Sequence, residues 1–201
     1  MNMNKKRFDV FQVIAPIYGC FYNMQKRIYQ IGLKQLFTQL DFSAINSVVD
    51  IGCGTGALAS VLSQRGFQVT DIDSSSGMLS KGKRKKENQN IRFILSNIME
   101  RLPFEDKSFD ASFASYVAHG LSSKDRKIMY AEMSRISKKY MILLDYNSNR
   151  TLLTDVAETL EGGDYFNFIQ QAEIELRHLY SNVTVIPNGN HAAWYIVKLT
   201  D

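Results

Sequence analysis

Cysteine is scarce in this chain: Cys20 and Cys53 are the only two in 201 residues, and three histidines accompany them. Two thiols this far apart make neither a C-x-x-C pair nor a zinc set, so both are expected as free thiols in a reducing compartment. Proline is also scarce, at three residues, and neither a low-complexity linker nor an internal repeat interrupts the chain. No apolar run approaches the length that crosses a bilayer. The polar and basic stretch Met1 to Arg7 is not followed by a signal-type apolar segment, because Asp9, Gln12 and Pro16 break it. These absences predict a cytoplasmic protein with no membrane association. What remains is ordinary for one globular domain with a substantial core: 45% hydrophobic residues, 22% charged residues and a net charge of +4. Much of that excess is local, in Lys81-Gly82-Lys83-Arg84-Lys85-Lys86 at the end of a predicted helix. There it complements the helix dipole and stays solvated. Without interleaved aromatics it does not read as a nucleic-acid track.

The organising stretch is Ser47-Val48-Val49-Asp50-Ile51-Gly52-Cys53-Gly54-Thr55-Gly56. An apolar strand ends in an acid, enters a glycine-rich turn, and continues into a helix from Ala57. This design holds a nucleoside-containing ligand at the carboxyl end of a parallel strand. Its glycines permit backbone shapes and a close approach that a Cβ blocks, and the helix N-terminus offers free N–H groups. A disulfide at Cys53 would obstruct such a loop. Gly66 is placed to stop the helix, and a second strand runs from Phe67 to Ile72. Asp73 follows, 17 residues beyond Gly56, where a doubly wound fold keeps an acid for ribose hydroxyls. Asp71, two residues earlier on the same strand face, is the second choice for that role. A helix N-cap, shared with Ser74 to Ser76, is the plainer alternative.

Along the rest of the chain, Phe8 to Leu40 reads as an amphipathic region that Pro16 divides into two helices. Its apolar run is Ile28, Ile31, Leu33, Leu36, Phe37 and Leu40. Ser75 to Asn88 reads as a helix, Ile91 to Leu95 as strand three, and Phe109 to Ser115 as strand four. Ser122 to Asp125 caps a helix that runs to about Ser137. Tyr140 to Tyr146 is apolar enough for a central strand. Asn149 to Leu160 and Phe166 to Tyr180 read as helices around the Gly162-Gly163 break. Val183 to Pro187 and Trp194 to Leu199, joined through Asn188-Gly189, read as a closing hairpin.

The D-x-G-x-G-x-G form of residues 50–56 resembles the first motif of class I S-adenosylmethionine-dependent methyltransferases. The stretch Leu102-Pro103-Phe104-Glu105-Asp106-Lys107-Ser108-Phe109-Asp110 is similar to a segment of the methyltransferase family that includes the quinone C-methyltransferases and many small-molecule enzymes. The resemblance covers residues 45 to 201. It implies an α/β Rossmann-like sheet of seven strands, mostly parallel, with a C-terminal antiparallel hairpin. Residues 1–44 would then form a helical cap, and residues 45–201 the S-adenosylmethionine-binding unit. The resemblance assigns the cofactor to Tyr18, Asp50, Gly52, Cys53, Gly54, Thr55, Gly56, Asp73, Ser74, Met78, Asn97, Ile98 and Ser115. Asp50 would place the amino group, Asp73 the ribose and Asn97 the adenine. Asn97 stands where the family usually has Asp. It can still accept through its carbonyl oxygen, but without charge assistance.

The resemblance puts Tyr22, Tyr146 and Tyr165 on the substrate side, and His119 and Tyr116 as catalytic candidates. His119 fits a general base by its ordinary pKa and equally fits a structural helix entry. No metal is expected, because methyl transfer from a sulfonium needs positioning more than activation. The partner is a small-molecule acceptor, with no nucleic acid. Two other readings stay open. One is a nicotinamide oxidoreductase, since Gly52-x-Gly54-x-x-Ala57 also fits the looser dinucleotide fingerprint. The other is an S-adenosylmethionine-binding relative without catalysis.

Overall fold

The computed structural model describes residues 3–150, 155 and 163–199, with side chains from residue 21 onward. The strands are β1 (Ser47–Ile51), β2 (Gln68–Asp73), β3 (Arg92–Leu95), β4 (Phe109–Ser115), β5 (Ser137–Tyr146), β6 (Val183–Pro187) and β7 (Ala192–Lys198). They form one sheet in the order β3-β2-β1-β4-β5-β7-β6. β1, β2 and β3 pair in parallel, as do β4 and β5, whereas β7 runs antiparallel to both β5 and β6. This is the predicted mostly parallel sheet with a terminal hairpin. The helices are α1 (Met3–Gln39), α2 (Ala57–Gln64), α3 (Ser76–Lys83), α4 (Ser123–Ile136) and α5 (Tyr165–Leu179). The helix expected over 149–160 lies mostly outside the described residues. Compactness divides the chain into two units, Met1–Leu102 and Pro103–Asp201.

In the first unit, α1 corrects two expectations. Pro16 does not divide it. It lies inside one continuous helix, because an internal proline removes only one backbone hydrogen bond and a helix can run through it. The buried face matches the predicted run only in part. Tyr22, Tyr29, Leu33 and Leu36 point inward, whereas Ile28 and Ile31 are exposed. That inward face packs on α2 and α3. Burying each such side chain contributes about 1.5–3 kcal/mol.

The α1 contact is specific. The Tyr22 hydroxyl donates to Asn88 Oδ1 at 3.2 Å, and the Lys26 and Lys85 ammonium groups lie over its ring. The basic run thus supplies a packing contact through Lys85. Asn88 is buried and donates in turn to the Gly82 carbonyl at 3.1 Å. The end of α2 follows the sequence closely. Gly66 N–H donates to Ser63 O, and Phe67 N–H to Leu62 O, with Gly66 at φ 93°. This paired pattern is the Schellman stop, which needs a left-handed residue.

In the second unit, the segment from Pro103 to Ser108 acts as a clamp for the start of β4. The Arg135 guanidinium donates to Phe104 O at 2.8 Å and to Asp106 at 2.7 Å. Lys107 N–H donates to Arg135 O at 2.8 Å, the Ser108 hydroxyl donates to Glu105 O, and Phe104 meets Phe109 edge to face. β5 starts earlier than predicted. Ser137 pairs with Phe109, and an irregularity separates that pair from Ala111 opposite Tyr140. The bulge accommodates Lys138 and Lys139 ahead of the apolar run.

α4 and α5 are joined by Arg126, whose side chain is fully buried. Its guanidinium donates to Glu175 through Nε (2.8 Å) and Nη2 (2.7 Å), and through Nη1 to Asp164 and Leu121 O. The turn after β6 has Gly189 at φ 73°, and Asn188 N–H donates to Ala192 O. No helix among the described residues is long and apolar enough to cross a membrane.

Candidate active site

The glycine loop leaves β1 with all three glycines at positive φ: Gly52 at 69°, Gly54 at 57° and Gly56 at 73°. Gly52 and Cys53 N–H both donate to Ile72 O, which ties the loop to β2. The reasons for glycine differ along the loop. At Gly56 a Cβ would lie 2.9 Å from Asp71 Oδ2 and 3.1 Å from Asn88 Nδ2, so the protein's own packing excludes it. At Gly54 a Cβ would meet nothing within 4 Å, so that face of the loop is open. Gly82 on α3 is also required. A Cβ there would lie 2.9 Å from Phe93 and 3.0 Å from the Thr55 carbonyl.

Asp73 ends β2 with its carboxylate across the loop. Oδ2 accepts Gly54 N–H at 2.8 Å, and Oδ1 accepts Ser75 N–H at 2.7 Å. Ser75, not Asp73, is the N-cap of α3 and accepts Met78 N–H. Each Asp73 oxygen keeps a second lone-pair direction, so a diol can still be accepted. Burial raises its pKa, and the backbone donors oppose that shift.

Beneath the loop, Asp50 and Asp71 face each other in register on β1 and β2. Asp50 Oδ1 and both Asp71 oxygens are buried without a hydrogen bond of ordinary length; the Cys53 thiol is a weak donor to Asp71. Burial first, and then the charge of Asp73, pushes the Asp50 carboxyl well above the usual range. Burial and the Asp50 charge do the same to Asp71. Burial and the neighbouring carboxylates likewise push the Cys53 thiol up, which removes it as a nucleophile at neutral pH. Thr55 and Met78 are buried, Ser74 is exposed and Ile98 half-buried. Asn97 is exposed, and its Oδ1 accepts Met99 N–H at 3.0 Å. Tyr22 was expected at the substrate, but its ring is 1% exposed and committed to α1 packing. The Tyr18 side chain lies outside the described residues.

The second unit places its predicted residues at the carboxyl ends of β4 and β5. Ser115 ends β4 and is half-buried. Tyr116 follows at φ 54°, a left-handed shape that costs a non-glycine residue about 1–3 kcal/mol and concentrates at functional sites. Burial, and then the Asp145 charge, pushes its phenol up to about 12, so it stays protonated at neutral pH. Tyr146 is the hub of an aromatic cluster, edge to face with Tyr116 (5.2 Å), His119 (4.9 Å) and Tyr165 (5.1 Å).

His119 lies on a 3₁₀ turn, Ala118–Gly120, and its Nδ1 is 2.7 Å from Asp145 Oδ1. The aspartate pairing was not foreseen. An acid closing an apolar strand was visible in the sequence, but its partner 26 residues upstream was not. Asp71 and Asn88 were similarly missed as buried supports of the loop. Among the described residues, no group of three or more His, Cys, Asp or Glu side chains could hold a metal.

Residues 49–144 match the family described as methyltransferase domain. Over that stretch, just under half of the chain, the protein is similar to methyltransferases. Among curated relatives of this domain, demethylmenaquinone methyltransferase of Beutenbergia cavernae is 28% identical over 122 residues, 58% of this chain and 49% of that protein. Malonyl-[acyl-carrier protein] O-methyltransferase of Hamiltonella defensa is 33% identical over 97 residues, 48% of this chain and 36% of that protein. The chain spans about half the length of the first curated relatives it matches. A solved S-adenosyl-L-methionine-dependent methyltransferase structure from Methanococcus maripaludis superposes with TM-score 0.71 at 18% identity, covering 94% of both chains. That likeness concerns the fold.

Proposed function

We propose that this protein is an S-adenosylmethionine-dependent methyltransferase acting on a small-molecule acceptor in the cytoplasm. One observation carries the reading. The loop after β1 holds three positive-φ glycines, is open at Gly54, and is latched by an acid that ends β2. The residues fit the cofactor. Gly52, Gly54 and Thr55 line a backbone cradle, and Asp73 has acceptor capacity left for ribose hydroxyls. Asp50 has a buried oxygen lacking a partner among the described residues, which suits a cationic amino group. Asn97 and Ile98 follow β3, where the family resemblance puts the adenine. When bound, the cofactor supplies a methyl group already activated by a sulfonium charge.

The chain's task is to hold the acceptor and exclude water. Ser115, Tyr116, Tyr146 and Tyr165 are the proposed acceptor-side residues, with Tyr116 acting as a phenol that donates or accepts a hydrogen bond. Residues 1–44 are proposed as a cap whose later part is packed against α2 and α3. The curated relatives are named for a quinone precursor and an acyl-carrier-bound malonyl group, which supports a small acceptor without choosing one.

Titration calorimetry with S-adenosylmethionine, S-adenosylhomocysteine and NADH tests the reading. Saturable binding of the first two, lost in Asp73→Ala, is the expected result. Binding of NADH alone would overturn it.

A further inference from the structure

We propose that the outer face of α1, in the first unit, docks on an anionic lipid bilayer, along which the protein lies without spanning it. α1 carries two apolar stripes. One holds Tyr22, Tyr29, Leu33 and Leu36 and is packed on α2 and α3. The other holds Phe21, Met24, Ile28 and Ile31, which are between 44% and 65% exposed. Single exposed apolar residues are ordinary on a protein surface. These are spaced by three, four and three residues, so they stack along one side of the helix, turned away from the packed stripe. In the sequence the same spacing continues upstream through Ile17, Ile14 and Val10. A contiguous exposed patch of this kind marks an interaction surface.

Charge decides what the stripe meets. Asp9 is the sole acid of α1, against Lys5, Lys6, Arg7, Lys26, Arg27 and Lys34, and α2 and α3 contain no acid. Arg27 and Lys34 are exposed and flank the stripe, each one turn from Ile31. At this end Ile31 and Lys34 also share a groove with Val61 and Arg65 of α2. Its apolar walls and cationic rim suit a lipid phosphate above its acyl chain. At the other end, the Lys26 and Lys85 ammonium groups lie over the ring of Tyr22, the neighbour of Phe21. Lys85 belongs to the basic run, in which Lys83, Arg84 and Lys86 are exposed, and the acid that follows, Glu87, is already paired with Lys26.

A second copy of this chain would set these cations against its own, which disfavours a dimer through this face. An anionic bilayer takes both features at once. The apolar side chains enter the boundary between headgroups and acyl chains, and the cations stay among the phosphates. No described helix is long and apolar enough to span a membrane, but a helix that lies on one needs only an amphipathic face. The expected lack of membrane association followed from the missing span, and it does not reach this case.

Vesicle co-sedimentation of the full chain tests the assignment. Vesicles of phosphatidylcholine mixed with phosphatidylglycerol should carry the wild-type protein down, and vesicles of phosphatidylcholine alone should leave it in solution. Binding should weaken as salt is added, because the cations act through a screened field. The double variant Ile28→Gln, Ile31→Gln keeps the charge and should bind about tenfold more weakly, or worse. The double variant Arg27→Gln, Lys34→Gln keeps the stripe and should lose about as much. All these side chains are exposed, so the melting temperatures of both variants should stay close to wild type. Absence of wild-type binding to the mixed vesicles, equal binding to the neutral ones, or undiminished binding in either variant overturns the proposal. Light scattering without lipid covers the other occupant. A wild-type dimer that the isoleucine variant splits would give this face to a second copy and overturn the membrane assignment. Calorimetry with S-adenosylhomocysteine reads the glycine loop separately, so membrane docking and the methyltransferase reading stand or fall independently.

Discussion

Asp71 lies buried beneath the glycine loop. Two buried carboxyls face each other on adjacent strands, and neither oxygen of Asp71 has an ordinary hydrogen bond. Its pKa is raised by burial and by the Asp50 charge. A carboxyl with a raised folded pKa binds its proton more tightly in the folded chain. The stability it contributes is full below the unfolded value of about 3.9 and is lost as pH rises through the folded value. Asp71→Asn is therefore expected to be more stable than wild type at neutral and alkaline pH, with a flatter stability curve as pH rises above the ordinary carboxyl value of about 3.9. Urea midpoints across that range decide the point, and parallel curves for the two proteins would contradict it. The loop glycines separate in the same way. Gly56→Ala combines left-handed strain with a contact at 2.9 Å, whereas Gly54→Ala carries the strain alone. Gly56→Ala should cost about 2 kcal/mol or more, and Gly54→Ala about 1 kcal/mol. In calorimetry, cofactor affinity should suffer in Gly54→Ala even where its fold is intact.

At the scale of elements, the junction of α4 and α5 depends on one guanidinium. Removing a single member of a buried ion network leaves the others charged and unpaired, at a cost of about 3–5 kcal/mol. Arg126→Met should reach that range in denaturant titration, and a loss under about 1 kcal/mol would show that the network is not structural. The network also fixes the acid limit of this unit. Burial acts to raise the Glu175 pKa, but Arg126 and Ser123 outweigh it and leave it lowered. A lowered carboxyl contributes stability above its unfolded value, about 4.3, and loses it as pH falls through the folded value. With Glu175→Gln the acid dependence of urea midpoints should therefore flatten, and an unchanged slope would show that another group sets the acid limit. The Leu-Pro-Phe segment belongs at this scale too. It marked the family in the sequence, yet in the fold it anchors the start of β4 to Arg135. Its diagnostic value comes from a folding task.

For the whole molecule, cofactor binding is linked to stability. A ligand at a hundred times its dissociation constant stabilises the folded chain by about 2.7 kcal/mol. Saturating S-adenosylhomocysteine should raise the melting temperature by several degrees, and NADH should leave it unchanged. A shift with NADH alone would return the chain to the nicotinamide reading. Much of the fold was legible before any coordinates, because its signals are short-range. The β1 strand, the glycine loop and the Gly66 stop need only a few neighbouring residues. So do the Ser122 cap, which accepts Asp125 N–H at 3.2 Å, and the Asn-Gly hairpin. The predicted division at Pro16 and the inward Ile28 and Ile31 failed for the complementary reason. A helix has several apolar stripes in its sequence, and the packing partner chooses which one is buried.

The sequence by itself determined the strand–loop–helix unit with its acids at positions 50 and 73, the order of the strands and helices along the chain, and the closing hairpin. All of these follow from local periodicity, turn chemistry and the backbone freedom of glycine. Only the tertiary structure decided which acids are latched, buried or paired. Asp73 reaches back across 19 residues to Gly54, Asp71 lies under Gly56, and Asp145 meets His119. Those partners are brought together by strand register, and register is fixed by the sheet as a whole rather than by any one segment.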